Sequence, residues 1–307
     1  MNDIGNFNWK PVDGPVRNLI GYGENLPKVT WPNNANVAVN IVVNYEEGSE
    51  YSHPAGDGHN DGLGEVDSEL PSNQRDLAME SMYEYGSRVG IWRLMRLFRE
   101  YGINATIFGC ALAFEQNPAV AKHASQAGHD LLSHGYRWEE HWRLFREEER
   151  EHIRMAIESF ERTWGSRPQG WYCRYGPSVN TRDLVVEEGG FLYDSDAYND
   201  DFPYFTEVQG KRHLVIPYSL TYNDVQGIRS PGSFLEYCRR GFDELWLEGE
   251  RGFPKMMSIG LHPRLIGQAG RTSALREFIE HAQQKGKVWF ARRIDIANWW
   301  LEHHQDF

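Results

Sequence analysis

The chain has 307 residues, of which 40% are hydrophobic and 25% charged, and this mix is typical of a globular protein with a large core. Its 32 Lys and Arg residues against 44 Asp and Glu residues give a formal net charge of −12 at pH 7, which argues against nucleic-acid binding because phosphates require a basic surface. The N-terminus has no signal-peptide pattern and no segment approaches the roughly 18 apolar residues of a membrane span, so we expect a cytoplasmic protein that makes no membrane contact.

The first elements are read from periodicity and from helix end signals. Residues 1–36 are rich in Pro, Gly and Asn and show no period, which predicts an extended arm. Residues 37–44 alternate between two faces, as a β-strand does. Residues 48–80 hold many Gly, Asp, His, Ser and Pro and are too long for a simple connector, which favours a functional loop. Ser87 is predicted to cap a helix that ends at Gly102.

The rest of the chain alternates between strands and helices. Strands are predicted at 105–109, 129–134, 171–173, 191–196, 213–219, 256–262 and 288–293. Helices are predicted at 118–128, through 153–164, at 181–190, through 234–245, at 273–284 and through 299–300. This order implies an α/β fold with a parallel sheet that is covered by helices and closed or nearly closed into a barrel. No linker divides the chain, so we expect one domain over residues 1–307.

Polar residues end several of the predicted strands. They are Glu46 and Glu47 after the first strand, His134 after the third, Arg174 and Tyr175 after 171–173, Asp194 after the fifth, and His262 and Arg264 after 256–262. In such a barrel the reactive groups lie at the carboxyl ends of the strands. Five polar strand ends at one rim predict a convergent pocket with carboxylates and histidines for proton transfer or metal binding.

The sequence context supports a functional role for some of these polar residues more strongly than for others. Two adjacent residues of a strand point to opposite faces, so at most one of Glu46 and Glu47 is expected to enter the pocket, unless the chain turns between them. His134 ends the predicted strand 129–134 and His262 ends the predicted strand 256–262, which favours a functional role for each. Asp194 begins an acidic run, which is more typical of a solvated loop.

A zinc site would need about three protein ligands and an open position. The residue four positions after His134 is Trp138, and the next histidine is His141, seven positions away. The three cysteines form no CxxC pair. A carboxylate and a histidine can also activate water without a metal, while a second histidine or an arginine stabilises the oxyanion.

The order of the motifs NYEEG, SHG, CRYGPS, YDSD and LHPR resembles the polysaccharide deacetylase superfamily. This resemblance implies a distorted, incomplete TIM-like barrel. Members typically carry an aspartate pair in place of Glu46 and Glu47 and a His-x-x-x-His pair that starts where His134 is found. The second aspartate and the two histidines are their usual metal ligands, so Glu47 and Trp138 depart from that ligand set.

Six longer stretches carry a closer resemblance that runs nearly end to end: RNLIGYG (17–23), VNYEEGSE (43–50), SMYEYGSRVGIWR (81–93), SHGYRW (133–138), VEEGGFLYDSD (186–196) and MSIGLHPRLIG (257–267). They are similar to the metal-independent allantoinases of the same superfamily. The resemblance implies hydrolysis of the hydantoin ring of allantoin to allantoate, in purine catabolism, without a cofactor. It also implies a homo-oligomer.

The same resemblance places Glu46, Glu47, His134 and His262 at catalytic positions. A carboxylate or His134 is expected to activate water, while His262 and Arg174 steady the charged intermediate. The candidates for substrate binding are Tyr45, Trp138, Arg174, Tyr175, Asp194 and Arg264, with Trp138 as a pocket wall.

Other functions remain open at this point. Residues 53–62 form a loop particular to this chain, so the partner could be another small cyclic ureide, imide or amide. A metal-dependent polysaccharide deacetylase or cyclic imide hydrolase would use Glu47 and His134 as zinc ligands, together with His141 or Asp194. A barrel without activity that binds a carbohydrate or a protein is the third possibility.

Overall fold

One sheet of nine strands forms the centre of the protein in the computed structural model, which describes residues 13–227 and 230–305. The strands are β1 (Val37–Tyr45), β2 (Thr106–Gly109), β3 (Asp130–Ser133), β4 (Gly170–Trp171), β5 (Tyr193–Asp194), β6 (Tyr204–Val208), β7 (Lys211–Val215), β8 (Lys255–Leu261) and β9 (Val288–Phe290). Their order is β6-β7-β5-β4-β3-β2-β1-β8, and every neighbouring pair is parallel except β6 and β7. The two end strands of this order, β6 and β8, do not pair with each other. The sheet is therefore a curled half-barrel, as the resemblance to the superfamily implied.

Helices cover the outside of the sheet. They are α1 (Leu77–Tyr85), α2 (Ile91–Tyr101), α3 (Ala111–Gln116), α4 (Pro118–Gln126), α5 (Arg146–Thr163), α6 (Thr181–Glu188), α7 (Pro231–Glu250), α8 (Ala269–Lys285) and α9 (Arg293–His303). None of the described helices combines the length and the hydropathy that crossing a bilayer requires. The cytoplasmic location and the homo-oligomer stay predictions.

The central strand β1 shows how a two-residue period sets the two sides of the sheet. All nine of its residues are buried. Val39 and Val43 belong to the apolar core that includes α2, α7 and α8, whereas Ala38 and Val42 belong to the core inside the half-barrel. β2 pairs with the last part of β1, and β9 pairs with the first part of β1. The same edge of β1 therefore forms hydrogen bonds with two strands.

Arg293, the first residue of α9, lies fully buried inside the half-barrel. Its guanidinium donates five hydrogen bonds of 2.6–3.0 Å, to Asn40 Oδ1, Ser195 Oγ, Ser258 Oγ, Ile216 O and Pro217 O. All five acceptors are neutral, and no carboxylate of the described residues forms an ion pair with it. Burial lowers the pKa of Arg293 to about 10, so the side chain keeps its charge at neutral pH.

The predicted start of the helix that ends at Gly102 was wrong. The segment begins at Leu77, because the carboxylate of Asp76 accepts hydrogen bonds from the backbone N–H groups of Ala78 and Met79 and caps it. It continues through one wider turn at Gly86–Gly90 into α2, so Ser87 lies inside it. The end at Gly102 is confirmed by its left-handed backbone (φ 64°).

The expectation of an all-parallel sheet was wrong at β6 and β7, which form an antiparallel hairpin. Gln209 and Gly210 both have positive φ (50° and 74°), as the two central residues of the favoured hairpin turn do. The acidic residues before β6 made this segment look like a loop. The strand predicted at 213–219 also begins two residues earlier, at Lys211.

Candidate active site

A cavity of about 260 Å³ lies at the carboxyl ends of the strands. Six of the residues predicted from the sequence line it: Glu46, His134, Trp138, Arg174, Tyr175 and His262. Its volume is below the roughly 300–1,000 Å³ of sites for drug-sized ligands, so it suits a small molecule. We refer to it as the Glu46 cavity.

The alternation along β1 decides which glutamate enters this cavity. Glu46 continues the even-numbered face that carries Ala38 and Val42, and it therefore points into the half-barrel. Glu47 continues the opposite face and lines a separate cavity of about 670 Å³. The structure thus brings only one of the two predicted catalytic glutamates to the Glu46 cavity.

The carboxylate of Glu46 is buried and shares its two oxygens among three basic side chains. Oε1 lies 3.2 Å from His134 Nε2 and 3.6 Å from His262 Nε2, and Oε2 accepts a 2.7 Å hydrogen bond from Arg264 Nη1. Burial by itself would raise the pKa of Glu46, but Arg264 and His262 outweigh it and hold the pKa well below its usual range. Glu46 is therefore an anion at neutral pH.

His262 is held by a second carboxylate on its far side. Its Nδ1 lies 2.6 Å from Asp224 Oδ1, and its backbone N–H donates to Asp224 Oδ2 at 2.7 Å. Burial opposes the charged form, but Asp224 and Glu46 together raise the pKa of His262 to about 9. The imidazole is therefore positively charged at neutral pH and keeps Nε2–H directed at Glu46.

The pKa of His134 is shifted in the opposite direction from that of His262. Burial lowers its pKa in spite of the neighbouring Glu46, which favours a neutral ring. Its Nδ1 lies 3.3 Å from Tyr172 O and its Nε2 3.2 Å from Glu46 Oε1. Both neighbours are acceptors, whereas a neutral imidazole carries a single N–H. His134 can therefore take up a second proton at this position and satisfy both acceptors.

Arg264 lies behind Glu46 and does not line the Glu46 cavity. It is buried, donates from Nε to Leu63 O at 2.8 Å, and its guanidinium lies over the rings of Tyr83 (4.5 Å) and Trp138 (5.0 Å). Its charge neutralises Glu46, so the predicted role in substrate binding is replaced in the structure by a contact with the carboxylate.

The residues present do not fit the metal site that the superfamily resemblance implies. Among residues 13–227 and 230–305, no group of three or more His, Cys, Asp or Glu side chains could hold a metal ion. The ligands of the zinc alternative are also scattered, since His141 pairs with Glu149 at 3.1 Å and Asp194 binds Arg182 at 2.7 Å. Asp194 therefore lies away from the cavity as well.

Glu47 links the backbone of two site residues. Its Oε2 accepts from the backbone N–H of Glu46 and its Oε1 from that of Arg264, both at 3.1 Å. Burial raises the pKa of Glu47 to about 7, although Arg264 acts against this rise. A Cβ atom at residue 86 would lie 2.2 Å from Glu47 Oε1, which explains the glycine there.

Of the other residues predicted to bind substrate, Arg174 and Tyr175 line the Glu46 cavity and Tyr45 does not. Arg174 lines the cavity, but its Nη1 binds Asp61 Oδ2 at 2.5 Å and its guanidinium lies 3.8 Å from the centre of the Trp138 ring. Tyr175 is exposed at the mouth of the cavity. Tyr45 is buried in the core, with its hydroxyl 2.8 Å from Ser87 Oγ, and does not reach the cavity.

Sequence reasoning missed several residues of the site. Asp224 lies beyond the end of the strand predicted at 213–219, so no pattern marked it. Asn44 and Tyr218 also line the cavity, and the amide of Asn44 donates to the hydroxyl of Tyr218 at 3.2 Å. Asn44 could have been found, because it shares the even-numbered face of β1 with Glu46.

Comparison with known proteins agrees with this fold. The family model described as "Polysaccharide deacetylase" matches residues 73–193. A Schizosaccharomyces pombe protein named "Putative polysaccharide deacetylase" is 37% identical over 94% of this chain and 98% of its own length.

Two solved structures are more similar still. One is described as a "probable Polysaccharide deacetylase" from Pseudomonas aeruginosa PAO1; it is 46% identical, with coverage of 94% of this chain and 98% of that one and a TM-score of 0.89. The other is described as "Puue Allantoinase"; it is 45% identical, with coverage of 96% and 100% and a TM-score of 0.90. The chain belongs to the polysaccharide deacetylase family.

Proposed function

We propose that this protein is a hydrolase that opens the cyclic amide of a hydantoin-type ureide, converting allantoin to allantoate without a metal ion. The observation that carries the proposal is the set of contacts around Glu46, where a neutral His134 and a charged His262 face one carboxylate. Groups with opposite protonation states at one point supply a base and an acid for the same reaction. The 45% identity to the solved allantoinase supports the choice of ring.

The size of the cavity favours a small ring over a polymer chain. The loop between β1 and α1 is fixed against the rim, since Asp57 binds Arg137 through two hydrogen bonds of 2.7 and 2.9 Å and Asp61 binds Arg174. Leu63 of the same loop lines the cavity. A loop held by these ion pairs leaves little room for a polysaccharide.

In the proposed reaction, a water oxygen bonds to the ring carbonyl carbon and its proton passes to Nε2 of His134. The charged His262 stabilises the oxyanion that forms on the carbonyl oxygen. The ring C–N bond then breaks, and the ring nitrogen takes the proton of His262 Nε2. Glu46 stays ionised throughout and stabilises whichever histidine carries the extra proton. The new carboxylic acid of the open ureide releases its proton to solvent and becomes a carboxylate, and the proton on His134 returns to His262, which restores both histidines to their starting states.

The first test is turnover of allantoin by metal-analysed protein. We expect allantoin to be consumed at the same rate before and after dialysis against a chelator, and we expect zinc to be present at well below one equivalent per chain. Added zinc should not raise the rate. Loss of activity on chelation and its return with zinc would contradict the metal-free reaction.

The second test follows from the pKa of His262. We expect kcat/KM to fall as the pH rises through about 9, because His262 then loses the proton that it must donate. In Asp224→Asn this fall should begin at a lower pH, since the carboxylate that most raises the pKa is gone. The pH profile of kcat/KM measures it.

The matched control for this prediction is Asp243→Asn, which removes a similar 2.9 Å contact to His281 on the outer helices. It should leave the profile unchanged. An Asp224→Asn profile that coincides with the wild-type profile would contradict the assigned role of His262.

Deacetylation is the second candidate function, because the names of the S. pombe and P. aeruginosa relatives describe it. Release of acetate from N-acetylglucosamine oligomers, measured beside allantoin loss, separates the two activities.

A further inference from the structure

Another cavity, of about 490 Å³, adjoins the Glu46 cavity, and we refer to it as the Tyr237 cavity. Leu220, Asn223 and Gln226 line both cavities, so this short segment is the boundary between them. The far wall comes from the start of α7, including Ser233 and Tyr237. A ligand in the Glu46 cavity therefore has adjacent space for a substituent on the side of Gln226.

The two cavities differ in charge. The Glu46 cavity is lined by charged side chains, among them Glu140 and Arg174. The described lining of the Tyr237 cavity contains no Asp, Glu, Lys, Arg or His. Leu220 and Phe234 offer apolar contacts there, while Gln226 and Ser233 offer neutral hydrogen-bonding groups. Such a lining suits an uncharged substituent with polar atoms.

Gln226 is placed to contact such a substituent. Its side-chain amide has two donors and one acceptor oxygen, and it forms no hydrogen bond with the described residues. The turn that carries it begins at Asp224, the residue that binds His262, and the backbone N–H of Gln226 donates to Asn223 O at 3.0 Å. The backbone of Gln226 is thus held near His262, and its exposed side chain is free to turn toward a ligand.

We propose that the Tyr237 cavity is a subsite for a neutral ureido or amide substituent on the substrate ring, with Gln226 as its specificity-determining residue. The inference rests on the proposed function and extends it. A ring with a ureido group, as in allantoin, would place the scissile amide beside Glu46 and the ureido group beside Gln226. Unsubstituted hydantoin would fill only the Glu46 cavity.

The experiment compares kcat/KM for allantoin and for hydantoin in four proteins: wild type, Gln226→Leu, Ser233→Trp and Gln283→Leu. Gln226→Leu removes the amide and keeps the bulk, and Ser233→Trp fills the subsite from an exposed helix position. Gln283 is the matched control on α8, where its amide donates to Tyr101 O. If hydantoin binds without being hydrolysed, its inhibition constant against allantoin replaces its kcat/KM.

We expect Gln226→Leu to lower kcat/KM for allantoin by about 3- to 10-fold, the effect of one neutral hydrogen bond, and to lower the value for hydantoin by a clearly smaller factor. Ser233→Trp should lower kcat/KM for allantoin by about 10-fold or more and should again affect hydantoin less. Gln283→Leu should change kcat/KM for neither ring. Equal losses for both rings, or no loss, would overturn the subsite and leave the proposed function standing. A wild-type protein that neither hydrolyses nor binds either ring would overturn both.

Discussion

Glu46→Gln is expected to lower kcat for allantoin by about 10²- to 10⁴-fold, the range found when a group needed for proton transfer is lost. The change keeps the shape of the side chain and removes its charge. His262 then loses one of the two carboxylates that raise its pKa, and His134 loses the anion that stabilises its protonated form. A steady-state assay of allantoin loss at pH 7.5 measures the effect.

Glu47→Gln is the matched control for this prediction, since the two glutamates are adjacent and both are buried. Glu47 faces away from the Glu46 cavity, so its replacement should lower kcat far less than the replacement of Glu46 does. The comparison also tests the sequence-based placement of both glutamates in the catalytic set. A larger loss in Glu47→Gln than in Glu46→Gln would contradict the arrangement described above.

Arg264→Met is expected to lower the free energy of unfolding by about 3–5 kcal/mol at pH 7, because it leaves the carboxylate of Glu46 buried with less compensating charge. In the wild type the lowered pKa of Glu46 contributes stability above the ordinary carboxyl pKa of about 4.5, and this contribution is lost as the pH falls through the native value. The variant lacks most of it. The deficit should therefore be nearly the same at pH 7 and pH 5 and should shrink only as the pH falls below about 4.5, as urea unfolding at pH 7, pH 5 and about pH 3 would show.

The double variant Glu46→Gln/Arg264→Met provides the control for Arg264. Because Glu46→Gln removes the carboxylate that Arg264→Met leaves uncompensated, we expect the double variant to be more stable than Arg264→Met alone. Equal stabilities would mean that Arg264 acts through its packing on Tyr83 and Trp138 and not through its charge.

The sequence predicts those parts of the site that depend on the hydrophobic pattern of a single strand. The period of β1 shows that Glu46 and Glu47 lie on opposite faces, and the apolar runs before His134 and His262 place both histidines at strand ends. Which glutamate enters the half-barrel was not predictable from the period alone. That depends on the side on which the strands curl, a property of the whole sheet.

Contacts between distant segments could not be predicted. Asp224 reaches His262 because the segment after β7 runs beside β8, where Asn223 bridges to Gly260. Nothing local marks this approach across 38 residues. The helix start was missed for a different reason, since Asp76 is as good a cap as Ser87 and the glycines at 86 and 90 looked like a break.

Arg293 joins β1, β8 and the segments after β5 and β7, all of which precede it in the sequence. The gap at which the half-barrel fails to close is therefore bridged by a residue that leaves the ribosome after every part it connects. Asn223 and Gly260 already connect the segment after β7 to β8, and Arg293 adds its five buried hydrogen bonds to this connection only when α9 docks. We therefore expect the segment that carries Tyr218 to reach its final position in the site only when that helix is in place.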